Sequence, residues 1–285
     1  MPPLEEGPRA AGRPRWIGTL LYVPGLYGLG WLLVQPLGSL APGLRPDQVN
    51  LAGAVVSLLL LVLTLPLRLR RVWGESHPWR ALGVVAPPLA ILGAFGRGLL
   101  KALMLLALVV GALLAAGSAR WIGPAALDGG EWLNALALVV GVGFAEELVF
   151  RGWLWGELQR LTTPQSALLL QAAIFALVHP WSRYGWLGAM GLLGGLILLG
   201  LNLALLLRND QGVLWGAIGL HGGLVGGWFA LQAGLLELLP QAPLWLAGPG
   251  GSQPNPIGGL VGWIGLGGLL VLGRCQFLTN SCKRD

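Results

Sequence analysis

The residues of this sequence that could do chemistry are a few ionisable side chains placed inside long apolar runs. Glu146, Glu147 and Arg151 lie together in one run, His179 closes the next run, and His221 lies inside a later one. An ionisable group at mid-bilayer costs about 2.5 kcal/mol or more unless it is paired or hydrated. A carboxylate and two imidazoles in such positions are therefore candidates for general acid–base catalysis or for metal binding.

Helical spacing separates the two glutamates. Glu147 and Arg151 stand four residues apart, so on a helix they share a face and can form an internal ion pair. Glu146 lies about 100° away around the helix and has no such partner. We therefore expect Glu147 and Arg151 to neutralise each other, and Glu146 to face a cavity as the free carboxylate, the role of a general base.

The depth of the candidate residues along their helices is similar. At about 1.5 Å per residue, Glu146 lies about 16 Å, His221 about 15 Å and His179 about 21 Å from the inner ends of their runs. All three fall in the middle of a hydrocarbon core about 30 Å thick. A single buried histidine more often bonds a backbone carbonyl than acts on a ligand. The shared depth with an unpaired glutamate instead predicts one common, water-filled cavity.

The elements that position these residues are predicted from composition. Of the 285 residues 55% are hydrophobic and only 11% are charged, which is typical of a membrane protein. We interpret the apolar run 82–95 as an interfacial lead-in, because Pro87 and Pro88 break it and Arg97 and Lys101 follow it. The remaining runs predict an all-α, polytopic membrane bundle of about eight transmembrane helices: residues 16–34, 51–67, 99–119, 132–158, 165–179, 184–207, 213–233 and 257–272.

The net charge of +6 comes from basic residues that punctuate the apolar runs and form no stripe, so no nucleic-acid partner is expected. With the amino terminus inside, only Arg45, Arg120 and Arg183 fall outside, and Arg151 lies within a span. This bias predicts a multi-pass protein with both termini in the cytoplasm, suited to a bacterial-type inner membrane. The inner group comprises Arg9, Arg13, Arg15, Arg68, Arg70, Arg71, Arg80, Arg97, Lys101, Arg160, Arg208, Arg274, Lys283 and Arg284.

Glycines spaced four residues apart favour close helix packing in lipid, where small side chains let backbones approach. The pairs are Gly191 with Gly195, Gly222 with Gly226, Gly223 with Gly227, and Gly258 with Gly262.

The order Glu146-Glu147-x-x-x-Arg151, then Phe175-x-x-x-His179, then His221 resembles the CPBP or ABI family of intramembrane endopeptidases. That family contains the CAAX prenyl endopeptidases and bacteriocin-processing or immunity proteins. The resemblance covers roughly residues 130–235 and suggests four segments. These are a cytoplasmic leader (1–15), N-terminal membrane helices (16–131), catalytic core helices (132–235), and a loop, final helix and cytoplasmic tail (236–285).

The resemblance implies hydrolysis of a peptide bond in a membrane-embedded or lipidated substrate. Glu146 would activate a water, Glu147 with Arg151 would hold the helix, and His179 with His221 would orient the water or stabilise the oxyanion. Because the family has also been described as metalloproteases, Glu146, His179 and His221 are at the same time the candidate ligands of a zinc ion. The sequence has no HExxH motif, so the residues alone imply no cofactor.

The sequence departs from the family pattern at one position. Many members carry Asn four residues after the last histidine, whereas this chain has Val225, which can neither donate a hydrogen bond nor bind a metal. Asn202 is a candidate substitute, although an interhelical hydrogen bond is its commoner role. Two alternatives to a protease remain: a non-catalytic binding, immunity or scaffold protein, or a small transporter with an ion path.

Overall fold

The computed structural model describes residues 13–41, 43–251 and 253–282, with side chains up to residue 275. Most of the predicted leader, residues 1–12, and the tail residues Lys283 and Arg284 lie outside the described residues.

Eight helices dominate the structure, and each coincides with one of the predicted apolar runs. Single helical turns at Pro78–Ala81 and Leu244–Ala247 lie between them. The long helices are α1 (Trp16–Leu40), α2 (Pro46–Trp73), α3 (Pro88–Ala115), α4 (Gly129–Leu161), α5 (Pro164–Leu177), α6 (Trp186–Asn209), α7 (Trp215–Ala230) and α8 (Leu260–Cys282). The all-α membrane-bundle architecture is thus confirmed.

The number of helices able to span a membrane is smaller than expected. Among the described residues, five are long and apolar enough: α1, α2, α3, α4 and α6. Helix α5 and the Leu260–Cys275 part of α8 are apolar but shorter, and α7, whose 16 residues continue as the wider turn Leu231–Leu235, is not among the five either. The eight predicted helices are therefore present, but among the described residues only five of them have the length and composition of a membrane span.

Helix α3 corrects the interpretation of residues 82–95 as a separate lead-in. The helix begins at Pro88, a residue suited to the first helical position, and continues without a break to Ala115. Arg97 does not interrupt it, because its guanidinium pairs with the buried carboxylate of Asp210. A charge that is neutralised by a carboxylate just past the end of another helix, α6, is no signal for a helix end.

Two compact units divide the chain, and the first contains residues 13–81 and 156–163. Its core holds a fully buried carboxylate, Glu157, which accepts hydrogen bonds from three side chains of the same unit. The donors are Thr19 Oγ1 at 2.6 Å, Arg68 Nη2 at 2.8 Å and Trp73 Nε1 at 3.0 Å. A buried charge satisfied in this way is structural, because nothing is left over for a ligand.

The second unit contains residues 82–155 and 164–282 and is built around α7. A Cβ on Gly222 would overlap the carbonyl oxygen of Val139 on α4, and one on Gly219 would overlap that of Phe95 on α3. These glycines let α7 pack backbone to backbone against two neighbours. The predicted packing role is also confirmed for Gly191 and Gly195, whose Cβ atoms would overlap backbone atoms of Gly258 and Ile257.

A two-stranded sheet in the second unit was not predicted. Strands β1 (Ala119–Trp121) and β2 (Leu236–Leu238) pair antiparallel, with Arg120 opposite Glu237. Three-residue strands have too short a pattern to be read from a sequence.

Candidate active site

Glu146 and the two histidines meet at one point in the second unit. Glu146 Oε2 lies 3.7 Å from His179 Nε2 and 3.9 Å from His221 Nε2. The Glu146 side chain is 33% exposed, His179 24% and His221 4%. The predicted convergence of three helices on one cavity is confirmed. The distances are too long for direct hydrogen bonds.

The hydrogen bonds of the outer ring nitrogens fix the direction of both imidazoles. His179 Nδ1 lies 2.6 Å from the carbonyl oxygen of Phe175, and since a carbonyl only accepts, Nδ1 donates. His221 Nδ1 lies 2.8 Å from Glu147 Oε1 and donates to that carboxylate. Both Nε2 atoms therefore face Glu146, and both are available to a molecule held between them.

Glu147 forms the predicted ion pair with Arg151. Arg151 Nη1 lies 2.9 Å from Glu147 Oε1, and both side chains are fully buried. The same oxygen accepts the hydrogen bond from His221, a link that the sequence did not reveal. Glu147 thus bridges α4 and α7, and carries the charge that orients His221.

The backbone around the two glutamates is unusual. The α-helical turn Gly143–Glu147 lies between two wider, π-helical turns, Leu138–Val142 and Leu148–Leu154. Turns of this kind are rare and often mark functional sites, because the extra residue rotates the side chains that follow. The local spacing still leaves Glu147 and Arg151 paired, with Glu146 facing the cavity.

Phe175 contacts both imidazoles of the site and the guanidinium of Arg151. Its ring lies edge-to-face against His179 at 4.7 Å and against His221 at 5.6 Å between centroids. The guanidinium carbon of Arg151 lies 4.2 Å from the ring centre, a cation–π distance. Phe175 is fully buried and also packs against Phe150. The sequence placed it in a motif but assigned it no contact.

A cavity of about 390 Å³ opens beside these groups. Its walls are mainly apolar, and among the described residues no Lys or Arg lines it. Val225 does line it, where the family pattern has Asn. The full lining comprises Leu106, Val142, Glu146, His179, Tyr184, Leu196, Leu199, His221, Leu224, Val225, Trp228, Gln232 and residues 253–257.

Of two further polar residues, Asn202 and Gln232, only one lines the cavity. Asn202, the candidate substitute for the missing Asn, donates to the carbonyl oxygens of Leu198 and Leu266 at 2.9 Å and does not line this cavity. It makes the interhelical bond that was its commoner role. Gln232 lines the cavity and was missed, although it follows His221 by eleven residues and so lies on the same helical face.

The side chains do not form a metal-ligand set in this conformation. Within the part of the chain that the structure describes, no group of three or more His, Cys, Asp or Glu residues is arranged to hold a metal ion. Glu146, His179 and His221 are the residues proposed from the sequence for zinc. Their nitrogen–oxygen separations of 3.7 and 3.9 Å exceed the roughly 3.3 Å between two donors on a tetrahedral zinc ion, and we derive no step through a metal.

The family comparison matches the segment that carries this site. Residues 128–226 match the family described as type II CAAX prenyl endopeptidase Rce1-like. Residues 6–77 match a domain of unknown function (DUF8676). Searches of curated proteins and of solved structures found no match. The resemblance drawn from the motifs is confirmed: residues 128–226, which carry the site, are similar to this family of endopeptidases.

Proposed function

We propose that this Rce1-like protein is an intramembrane endopeptidase that hydrolyses a peptide bond with a water activated by Glu146. The observation that carries the proposal is the position of Glu146 Oε2, within 4 Å of two imidazole nitrogens at the edge of an apolar cavity. In a membrane, an ionisable residue without an ion-pair partner on its own helix is expected to act on a ligand or a proton.

The proposed reaction proceeds by general acid–base catalysis. Glu146 accepts a proton from the water while the water oxygen bonds to the carbonyl carbon of the scissile peptide. The same carboxyl group then gives this proton to the leaving nitrogen, and the C–N bond breaks. The products are a carboxylic acid and an amine, so one water is consumed for each bond.

The histidines serve the same step from the other side of the water. His179 lies nearer to Glu146 and orients the water through Nε2. His221, held by Glu147, stabilises the oxyanion when its Nε2 carries a proton. Glu147 and Arg151 act through position, because their fully buried pair fixes α4 and the His221 ring.

The proposed substrate is a membrane-embedded or lipidated peptide. A mainly apolar cavity that no Lys or Arg lines, within the described part of the chain, suits a hydrophobic peptide better than a soluble acidic one. An integral membrane protein with cytoplasmic termini in a bacterial-type inner membrane would meet such substrates in the plane of the bilayer.

Val225 favours a second candidate, a non-catalytic member that binds a peptide without cutting it. Valine occupies the cavity wall where a hydrogen-bond donor is common in the family, and losing one such donor can lower turnover about 100-fold. In that role the same cavity would hold a partner segment in an immunity or scaffold function.

Proteolysis by the purified protein in lipid tests the proposal. A library of prenylated peptides and single-span membrane proteins is incubated with wild type and with Glu146→Gln, with and without a chelator, while the metal content is measured. We expect cleavage by wild type alone and no effect of the chelator. Cleavage that requires a stoichiometric metal would replace the water scheme by the zinc alternative, and well-folded protein that binds peptides uncut would favour the second candidate.

A further inference from the structure

The cavity is elongated along one face of α7. Its lining includes His221, Leu224, Val225, Trp228 and Gln232, which recur at the three- to four-residue spacing of a single helical face. The helix continues past Ala230 as a wider turn, Leu231–Leu235, which contains Gln232. Eleven residues of helix correspond to about 16 Å, so the lining extends well beyond the catalytic groups.

Gln232 lies at the far end of this face with an unused donor. Its Nε2 is buried and has no hydrogen-bond partner among the residues that the structure describes. Buried amide groups are nearly always hydrogen-bonded, so an unpartnered one that lines a cavity calls for an explanation. Because Gln232 lines the cavity, a rotation of its amide would bring this donor to a ligand carbonyl there.

The opposite wall is a short segment, residues 253–257, that hydrogen bonds hold in place. Trp228 Nε1 donates to the carbonyl oxygen of Pro254 at 2.8 Å, which joins this segment to the middle of the α7 face. Within it, Asn255 Oδ1 accepts from the backbone N–H of Ile257 at 3.3 Å. The segment ends in the 3-10 turn Pro256–Gly258, and its residues line the same cavity as the α7 face.

We propose that Gln232 is a substrate-binding residue, and that the cavity binds an extended, apolar peptide along α7 with one backbone carbonyl accepting from Gln232 Nε2. This proposal rests on the proposed function for the position of the scissile bond beside Glu146 and His221. An extended chain advances about 3.3 Å per residue, so the bound carbonyl lies about five residues from that bond. The substrate class is therefore a hydrophobic segment longer than the immediate cleavage site.

The chemistry of the lining supports an uncharged substrate. Between the two polar ends, the α7 face offers Leu224, Val225 and Trp228, and Glu146 is the only acidic residue of the lining within the described chain. Acidic side chains next to the scissile bond would be repelled, and apolar ones would replace water on the walls.

The test compares two internally quenched apolar peptides with the same cleavage site, one with two residues on each side and one with seven. Variants are Gln232→Leu and Gln232→Glu, which keeps the size of the side chain but cannot donate when ionised. Gln241→Leu is the matched control, because Gln241 is exposed and does not line the cavity. We expect wild type to have a lower KM for the long peptide, and both Gln232 variants to lose about 5-fold to 10-fold of that advantage.

The affinity of the long peptide is also measured on the Glu146→Gln background, which separates binding from turnover. If adding either Gln232 substitution weakens binding of the long peptide, the result supports peptide binding along α7. It does so even if no peptide is ever cut, an outcome that would reject only the proposed protease activity. Either of two results would overturn the role of Gln232. One is an equal rise in KM for the short and the long peptide, and the other is no change in the ratio of the two KM values or in the Kd. Peptides that are extended on just one side of the scissile bond show in which direction the bound peptide follows α7.

Discussion

Glu146 and Glu147 are neighbours in sequence that the helix turns toward different surroundings. Glu147 is fully buried and shares one oxygen between Arg151 and His221, whereas Glu146 is one-third exposed at the cavity. The division between a paired carboxylate and one that faces the cavity was predictable from the four-residue spacing alone. The bond from His221 to Glu147 was not, because it depends on how α7 sits against α4.

Removing the guanidinium of Arg151 should destabilise the protein more than altering Glu146. Arg151→Met leaves the Glu147 carboxylate buried without its cation, which costs about 3–5 kcal/mol, whereas Glu146→Gln changes a partly exposed group. Thermal unfolding in detergent measures both. The double variant Glu147→Leu with Arg151→Met should recover part of the loss, and equal stabilities of the two single variants would contradict the buried pair.

Placing a donor at residue 225 should raise turnover. Val225→Asn introduces an amide four residues after His221 on the cavity wall, and one oxyanion donor contributes about 100-fold in known cases. Because the surrounding residues fit valine, the new amide will not be ideally placed. We therefore expect a smaller gain, of about 10-fold, in kcat. Val225→Leu is the control of the same shape without a donor. An equal effect of both substitutions would show that no donor is missing.

Phe175 should be a positioning residue for the imidazoles. Phe175→Leu removes the ring that contacts His179, His221 and Arg151, and we expect kcat to fall by about 10-fold or more with KM little changed. Phe150→Leu is the matched control. The Phe150 ring packs on Phe175, but among the described residues it stacks on neither histidine. Equal losses of kcat in the two variants at equal stability would assign Phe175 to packing only.

At the scale of the helices, close packing around α7 decides which groups meet. The glycine spacing predicted packing, and the Gly222 contact with Val139 shows it. Helix positions followed from apolar runs, but the π-helical turns of α4 and the short strands did not. They depend on tertiary contacts between distant residues, and these leave little mark on a local pattern. A helical wheel could have placed Gln232 on the same face as His221, whereas no such pattern predicts that residues 253–257 line the cavity.

Adding one methyl group at Gly222 should disturb both stability and catalysis. A Cβ there overlaps the Val139 carbonyl, so Gly222→Ala pushes α7 away from α4 and lengthens the contact of His221 with Glu147. We expect a destabilisation of about 1–3 kcal/mol and a loss of activity. Gly111→Ala is the control, since nothing lies within 4 Å of a Cβ at that helical position. A Gly222 variant as stable and active as that control would contradict the close packing.

At the scale of the whole molecule, sequence composition was sufficient to predict that this is a membrane protein. A chain with 11% charged residues and eight apolar helices is an integral membrane protein, and the family match over residues 128–226 agrees with the motifs. Individual span lengths were less predictable, because an apolar run marks a helix but α5, with 14 residues, is too short to cross a hydrocarbon core about 30 Å thick. The cytoplasmic position of both termini stays a prediction from the distribution of basic residues.

The measurement that tests the central claim most directly is the rate at which the protein in lipid bilayers cuts one peptide identified as a substrate. Glu146→Gln keeps the size of the side chain and removes the base, and Glu237→Gln, at a partly exposed carboxylate on β2, is the control. We predict that Glu146→Gln lowers kcat by about 1,000-fold or more, with peptide binding and stability retained, and that the control stays at wild-type rate. A Glu146→Gln protein that cuts the peptide at the wild-type rate would contradict the claim.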